Sequence, residues 1–147
     1  MRASPAVGVG GMYATGQGVD AVVITVAMVP PFMGSQTWRI ERIPERPDRF
    51  RVVFHDNANH IPWVWGYAGD RPSPDEPIIL TTNPERQVAW VFAPADNGVP
   101  NAYTLLADIG IVGAGWWAGH NPENQVAFVP IPITDAPTPE RPYWVLY

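Results

Sequence analysis

Short apolar runs alternate with polar clusters along the whole chain, and the runs have the length of β-strands. In the last third they lie at residues 103–106, 117–119, 125–129 and 144–146. Clusters of Pro, Gly, Asn and Asp separate them, and helical spacing of apolar residues is nearly absent. The pattern therefore predicts an all-β protein.

The same order of runs recurs along the chain, which indicates an internal repeat. The middle third has its runs at residues 50–54, 66–69, 78–80 and 87–91. In the first third, residues 11–26 align without a gap on residues 115–130, and residues 36–40 match the closing run. Three repeats of four strands predict a β-trefoil, in which a six-stranded barrel is closed at one end by three hairpins. A two-sheet sandwich is the alternative.

The repeat boundaries fall within a single domain of 147 residues. We expect repeats at approximately residues 1–43, 44–93 and 94–147. Each repeat supplies one Trp at its closing strand, so Trp38, Trp90 and Trp144 are expected to form one buried layer.

The first repeat is expected to lack or shorten its first strand, because only three residues precede Ser4 and a strand usually has about five. Such a barrel would be gapped beside residues 143–146 or filled by another chain. The oligomeric state is therefore predicted to be a monomer or a strand-exchanged homodimer.

Composition narrows the function classes. Nine basic residues, all Arg, stand against 14 acidic ones, giving a net charge of −5 without a basic block, so we expect no nucleic-acid partner. The absence of Cys removes disulfides and thiolate chemistry. No apolar run approaches the roughly 20 residues of a membrane span, and no signal segment is predicted. We expect a cytoplasmic protein, with unconventional secretion left open.

The sequence gives little support for a catalytic site or a metal site. His55 and His60 flank Asp56, but a metal site needs a third ligand that the sequence does not indicate. Asp75 and Glu76 lie in a Pro-rich turn that we expect to be solvated. Known nucleophile and phosphate motifs are missing. We therefore predict no catalytic residue, no metal and no cofactor, and a protein that is not an enzyme.

Several segments together resemble a known family. They read PAVGVG, QTWRIERI, NAYTLL, GWWAG, QVAFVPIP and PYWVL along the chain. In this order they are similar to the fungal β-trefoil protease inhibitors of the clitocypin, macrocypin and mycospin type, over nearly the whole length. The resemblance implies a small soluble protein whose loops block papain-like cysteine proteases, legumain or trypsin-like proteases, and hence a target protease as partner.

The resemblance also implies which loops bind. A second-repeat loop would present Asn57 or Asn59 to legumain, within the sequence Asn57, Ala58, Asn59, His60. Glycine-bearing first-repeat loops would enter the cleft of papain-like proteases, and the candidates are Val7, Gly8, Gly10, Pro31, Phe32, Met33 and Gly34. For a trypsin-like target the loop arginines are Arg71 and Arg141, but each precedes a Pro, a bond that trypsin cuts poorly.

A carbohydrate-binding trefoil of the ricin type is the competing interpretation. Gln36 and Trp38 form a literal Q-x-W, the core signature of those lectins, although the other two repeats lack it. Exposed aromatic rings can stack on sugars. The candidates are Trp63, Trp65, Trp116 and Trp117. A trefoil whose loops have lost any protease target is the third possibility.

Overall fold

The computed structural model describes residues 2–3, 12–27, 34–54, 61–96, 98–133 and 141–146, and within these ranges the chain is all-β. The only helix there is a 3₁₀ turn at Gly34–Gln36. The strands are β1 (Arg2–Ala3), β2 (Met12–Thr15), β3 (Ile24–Ala27), β4 (Trp38–Ile43), β5 (Arg46–Phe54), β6 (Val64–Gly66), β7 (Ile79–Thr81), β8 (Trp90–Pro94), β9 (Ala102–Ala107), β10 (Ala114–His120), β11 (Val126–Pro132) and β12 (Trp144–Val145). The predicted all-β class is confirmed.

Strand positions follow the apolar runs and tolerate Pro only where a backbone donor is not needed. The end of β5, residues 52–54, is buried. In β11, Pro130 lies opposite Trp116 and Pro132 opposite Ala114. Among the named strands β11 pairs only with β10, and its bonds to the other hairpins are made by Val126 and Phe128, so the missing N–H groups of these prolines can face away from the ladder.

The strands form one curled, half-barrel sheet. Antiparallel pairing runs from β1 through β12, β9, β8 and β5 to β4. Three hairpins branch from this run, with β2 on β1, β6 on β5 and β10 on β9. Each hairpin is completed by the following strand, β3, β7 or β11.

A closed ring of backbone hydrogen bonds joins the three hairpins. The N–H of Val23 donates to the Ile78 oxygen at 2.8 Å, that of Ile78 to Val126 at 2.7 Å, and that of Val126 back to Val23 at 2.8 Å. All three side chains are fully buried. Backbone groups buried at this point are thus satisfied by one another, which fixes the hairpins relative to each other.

A second ring of backbone hydrogen bonds joins the same three hairpins, and its donors and acceptors run in the opposite direction. The bonds run from Leu80 N–H to the Ala21 oxygen at 3.1 Å, from Phe128 N–H to Glu76 at 3.0 Å, and from Thr25 N–H to Asn124 at 2.6 Å. In both rings each hairpin donates to one neighbour and accepts from the other. Thr25, Leu80 and Phe128 are the three donors of the second ring, so they occupy corresponding positions on β3, β7 and β11.

The core is a cluster of tryptophans. Trp90 and Trp144 are buried as predicted, whereas Trp38 is only half-buried at its place on β4. Trp65 lies at the centre of this cluster and is fully buried. Its ring lies edge-on to Trp38, Trp90 and Trp144 at centroid distances of 5.4, 6.1 and 6.0 Å.

The hairpin register corrects one predicted correspondence between repeats. Thr25, Leu80 and Phe128 lie opposite Ala14, Trp65 and Ala118 respectively. Trp65 therefore corresponds to the two alanines, and the predicted match of residues 67–69 to residues 117–119 is wrong by three positions. The physical reason is that β6 ends at Gly66 and the chain bends away at residues 68–70.

The first strand is present but short. Arg2 lies opposite Val145 and Ala3 opposite Trp144, while Arg2 also pairs with Tyr13. The position beside β12, where a gap or a second chain was an option, is therefore occupied over this length by the chain's own β1. The structure describes β1 over Arg2 and Ala3, and the form of the first repeat stays a prediction.

Candidate functional site

Most of the predicted protease-binding residues lie outside the described residues. This holds for Asn57, Ala58, Asn59 and His60, and equally for Val7, Gly8, Gly10, Pro31, Phe32 and Met33. His55 and Asp56 belong to the same undescribed range as the asparagines. What the structure describes are the strand ends from which these segments depart.

The two residues that flank the segment carrying Asn57 and Asn59, Phe54 and Trp63, are held together. The Phe54 N–H donates to the Trp63 carbonyl oxygen at 2.9 Å, and the two rings are stacked with centroids 5.6 Å apart. Trp38 adds an edge-on contact to Phe54 at 5.6 Å. The two ends of this connection between β5 and β6 are thus held together by a backbone bond and an aromatic stack.

The two first-repeat segments depart from one place. Met12, which follows residues 4–11, lies directly opposite Ala27, which precedes residues 28–33. The Gln36 amide nitrogen donates to the Ala27 oxygen at 3.2 Å and to Thr15 Oγ1 at 3.1 Å. The 3₁₀ turn that begins at Gly34 is therefore hydrogen-bonded to the same hairpin. The segments at residues 4–11 and 28–33 adjoin neighbouring residues of that hairpin.

These contacts also explain the Q-x-W sequence. Gln36 is buried against β2 and β3, and the Trp38 indole N–H donates to the Ala14 oxygen at 2.9 Å. Trp144 makes the equivalent bond to the Ala118 oxygen at 2.9 Å without a Gln two residues before it. Both residues of the motif thus serve to hold the hairpin on the sheet.

The aromatic residues considered for sugar stacking are largely inaccessible. Trp65 is fully buried, and Trp116 and Trp117 expose only 8% and 7% of their surface. Trp63 is half-buried and one face of it is covered by Phe54. These rings belong to the packing of the sheet, which removes the main support for the lectin interpretation.

The two arginines considered for a trypsin-like target differ in their surroundings. Arg71 is exposed, in a bend that ends at buried Pro72. The Arg141 guanidinium lies over the Trp117 ring at 4.6 Å from its centroid, beside a groove of about 390 Å³. A cation stacked in this way must leave the indole before it can enter a specificity pocket, so the geometry favours Arg71.

The structure describes the acidic pair Asp75 and Glu76, whereas His55, Asp56 and His60 lie outside the described residues. Within the described ranges, no three His, Asp or Glu side chains are grouped so as to hold a metal ion. Asp75 is exposed at the tip of its turn, and the Glu76 carboxylate accepts the Ser73 N–H at 2.8 Å. No helix of the described residues is long and apolar enough to cross a bilayer.

One exposed loop was not singled out from the sequence. The connection between β9 and β10 presents Val112, which exposes 96% of its surface. The signal was available as an aliphatic pair between Gly110 and Gly113. Apolar residues usually indicate core, so this pair alone does not predict an exposed loop.

The arrangement defines a class of protein: a small all-β scaffold, with its polar and glycine-bearing segments held at strand ends and no catalytic grouping among the described side chains. The family model described as peptidase inhibitor clitocypin matches residues 1–146, and the chain belongs to this family of peptidase inhibitors, which are not enzymes.

Individual relatives agree with the family match. The chain is 28% identical to clitocypin of Clitocybe nebularis over 141 residues, which cover 96% of this chain and 87% of the relative. It is also 28% identical to clitocypin-2 of the same fungus over 141 residues, covering 96% and 86%. The resemblance stated from the sequence segments is therefore confirmed.

Proposed function

We propose that this protein inhibits cysteine proteases through loops carried on a β-trefoil, with legumain as the favoured target. The observation that carries the proposal is the family match over residues 1–146, joined to the Asn pair in the connection from β5 to β6. Its partner is a target protease.

The trefoil is supported by the two rings of backbone hydrogen bonds. Each ring contains one bond from each hairpin, and the hairpins branch from β1, β5 and β9, the first strands of the three proposed repeats. Equal roles in a closed ring are what a pseudo-threefold axis produces. Repeats at approximately residues 1–43, 44–93 and 94–147 place one hairpin in each.

Legumain inhibition is assigned to Asn57 or Asn59. A pocket built to hydrogen-bond an Asn amide rejects a side chain that lacks the amide, because its buried polar groups are then left unpaired. The clamp between Phe54 and Trp63 keeps the two ends of the segment in place. A loop with a fixed base loses less conformational entropy on binding, which favours inhibition.

Inhibition of papain-like proteases is assigned to the two first-repeat segments acting together. Met12 and Ala27 are paired, so the segments that adjoin them start side by side and can enter one cleft. The segment before Met12 carries Gly8 and Gly10, and glycine lets a backbone approach a protease surface closely. The segment after Ala27 carries adjacent prolines, which restrict its backbone.

The test of the legumain site is the double substitution Asn57→Ala, Asn59→Ala. We expect legumain inhibition to weaken by a factor on the order of 10⁴, as for other polar pockets deprived of their partner. Inhibition of papain and the urea midpoint should stay unchanged, because the substituted residues belong to a different segment.

Asn83→Ala is the matched control, since Asn83 is an exposed Asn on the connection from β7 to β8. It should leave legumain inhibition intact. Undiminished inhibition by the double variant would remove the assignment to Asn57 and Asn59. Full legumain activity in the presence of excess parent protein would remove the proposed target.

A further inference from the structure

The connection between β9 and β10 exposes an aliphatic side chain, that of Val112, to solvent. Val112 is 96% exposed and lies between Gly110 and Gly113, both of which have positive φ angles, 69° and 96°. Only glycine adopts these conformations readily, so the two residues shape the loop around Val112. Holding an aliphatic side chain fully in water has no benefit for folding.

The loop is held firmly at both of its ends. The Asp108 carboxylate forms ion pairs with Arg46 and with Arg49, the latter at 3.2 Å, and the Asp108 N–H donates to the Ala89 oxygen at 2.9 Å. At the other end, the Ile133 N–H donates to the Gly113 oxygen at 3.0 Å.

The loop is also packed from below. Ile109 and Ile111 are half-buried and lie against the core cluster, whereas Val112 points away from it. With fixed ends and packed flanks, the tip is preorganised for a partner, and little conformational entropy remains to be lost on binding.

The tip corresponds to the first-repeat segment assigned above to papain-like proteases. The indole bonds of Trp38 to Ala14 and of Trp144 to Ala118 relate β2 to β10 by an offset of 104 residues. The same offset relates Val112 to Gly8. In the sequence, an aliphatic residue at Val112 thus matches a glycine at Gly8.

The neighbouring connection repeats the arrangement as well. Ala114 and Pro132 are paired at the open end of the third hairpin, as Met12 and Ala27 are in the first. The residue that follows Pro132 is Ile133, which exposes 75% of its surface. We call Val112 and Ile133 together the aliphatic tip.

We propose that the aliphatic tip is a second protease-binding surface, directed at an elastase-type serine protease. The specificity pocket of such an enzyme is small and apolar, and it suits a short branched side chain such as that of Val112. Pockets specific for Asn or for Arg do not suit an aliphatic side chain. The inference rests on the proposed inhibitor function, but it concerns a different loop and a different enzyme.

The backbone at the tip favours blocking over cleavage. Val112 and Gly113 form a turn, whereas a scissile segment lies extended in a protease cleft. Val112 would then fill the pocket without presenting its peptide bond for attack. No covalent step is involved.

The experiment is titration of pancreatic elastase with the parent protein and with Val112→Gly. We expect the parent to inhibit and the variant to bind about 10- to 100-fold more weakly, the effect of no longer burying a Val side chain. Val19→Gly is the matched control, because Val19 is an exposed valine on the turn between β2 and β3. It should inhibit as the parent does.

The outcomes separate the two proposals. Full elastase activity with excess parent, or equal inhibition by Val112→Gly, overturns this inference. Papain and legumain assays on the same preparations report on the proposed function. Inhibition of either cysteine protease without inhibition of elastase leaves that function standing, and inhibition of elastase alone supports the aliphatic tip while removing the cysteine-protease assignment.

Discussion

At the residue scale, the position of Trp65 shows how three hairpins share one core. Ala14 and Ala118 occupy the corresponding places on the other two hairpins, and the single large ring lies edge-on to Trp38, Trp90 and Trp144. The side chains at these three places are fully buried and belong to the same hydrophobic cluster. Protein interiors are close-packed, so the combined volume at the three places is constrained more than the identity at any one of them.

Replacement of Trp65 tests this packing. Trp65→Ala should lower the free energy of unfolding by about 3–5 kcal/mol, because it removes a fully buried aromatic ring and leaves a cavity. Trp63→Ala, at a half-buried ring, should cost less. Urea unfolding of both variants gives the comparison, and an equal or smaller loss for Trp65→Ala would contradict its central role.

Moving the indole to the corresponding place extends the same test. Ala14→Trp alone should destabilise by roughly 1–3 kcal/mol through overpacking. Combined with Trp65→Ala, it should cost at least about 1 kcal/mol less than the sum of the two single changes, since each relieves the other. Additive losses in the double-mutant cycle would mean that the two places do not share space.

These residues also show where sequence reasoning stops. The buried states of Trp90 and Trp144 could be predicted because their strands recur in sequence. The role of Trp65 could not, since the other two hairpins have Ala at that place and residue identity gives no match. Residue type alone suggested residues 67–69 as the counterpart, and only the register of β6 against β7 corrects it.

At the element scale, β6 ends because a backbone crosses its last residue. A Cβ atom at Gly66 would collide with the carbonyl oxygen of Arg86, and the same oxygen accepts the Tyr67 N–H at 3.2 Å. The β7 to β8 connection is thus docked on the end of the hairpin that follows the Asn-bearing segment. Glycine is required there for close approach.

Gly66→Ala should therefore destabilise the protein by at least about 2 kcal/mol, since the colliding atom is backbone and cannot rotate away. Gly69→Ala is the matched control. Its added Cβ atom would meet nothing closer than the Arg71 oxygen at 3.8 Å, so its free energy of unfolding should change by less than about 0.5 kcal/mol. Similar losses for both variants would argue against the docked contact.

Strand elements were more predictable than the contacts between them. Alternating apolar runs located β5, β7, β9 and β11 to within a few residues. The loop ends at Met12 and Ala27 lie side by side because of the hairpin register, and the sequence pattern does not fix that register. The pairing that brings two candidate loops together had to be observed.

At the scale of the whole molecule, the fold separates stability from function. The hydrogen-bond rings and the tryptophan cluster hold the hairpins, while the candidate binding segments connect strand ends. Substitutions in the loops should change targets without unfolding the scaffold. The same scaffold can then carry different loops on different hairpins, with Asn in the connection from β5 to β6 and an aliphatic tip between β9 and β10.

The central property proposed for this protein is that it blocks a cysteine protease. Its most direct test is a titration of active legumain, and in parallel papain, with the parent protein at concentrations well above the dissociation constant. We expect legumain activity to fall linearly and to vanish at equimolar protein. Full activity of both enzymes at a large molar excess would contradict it.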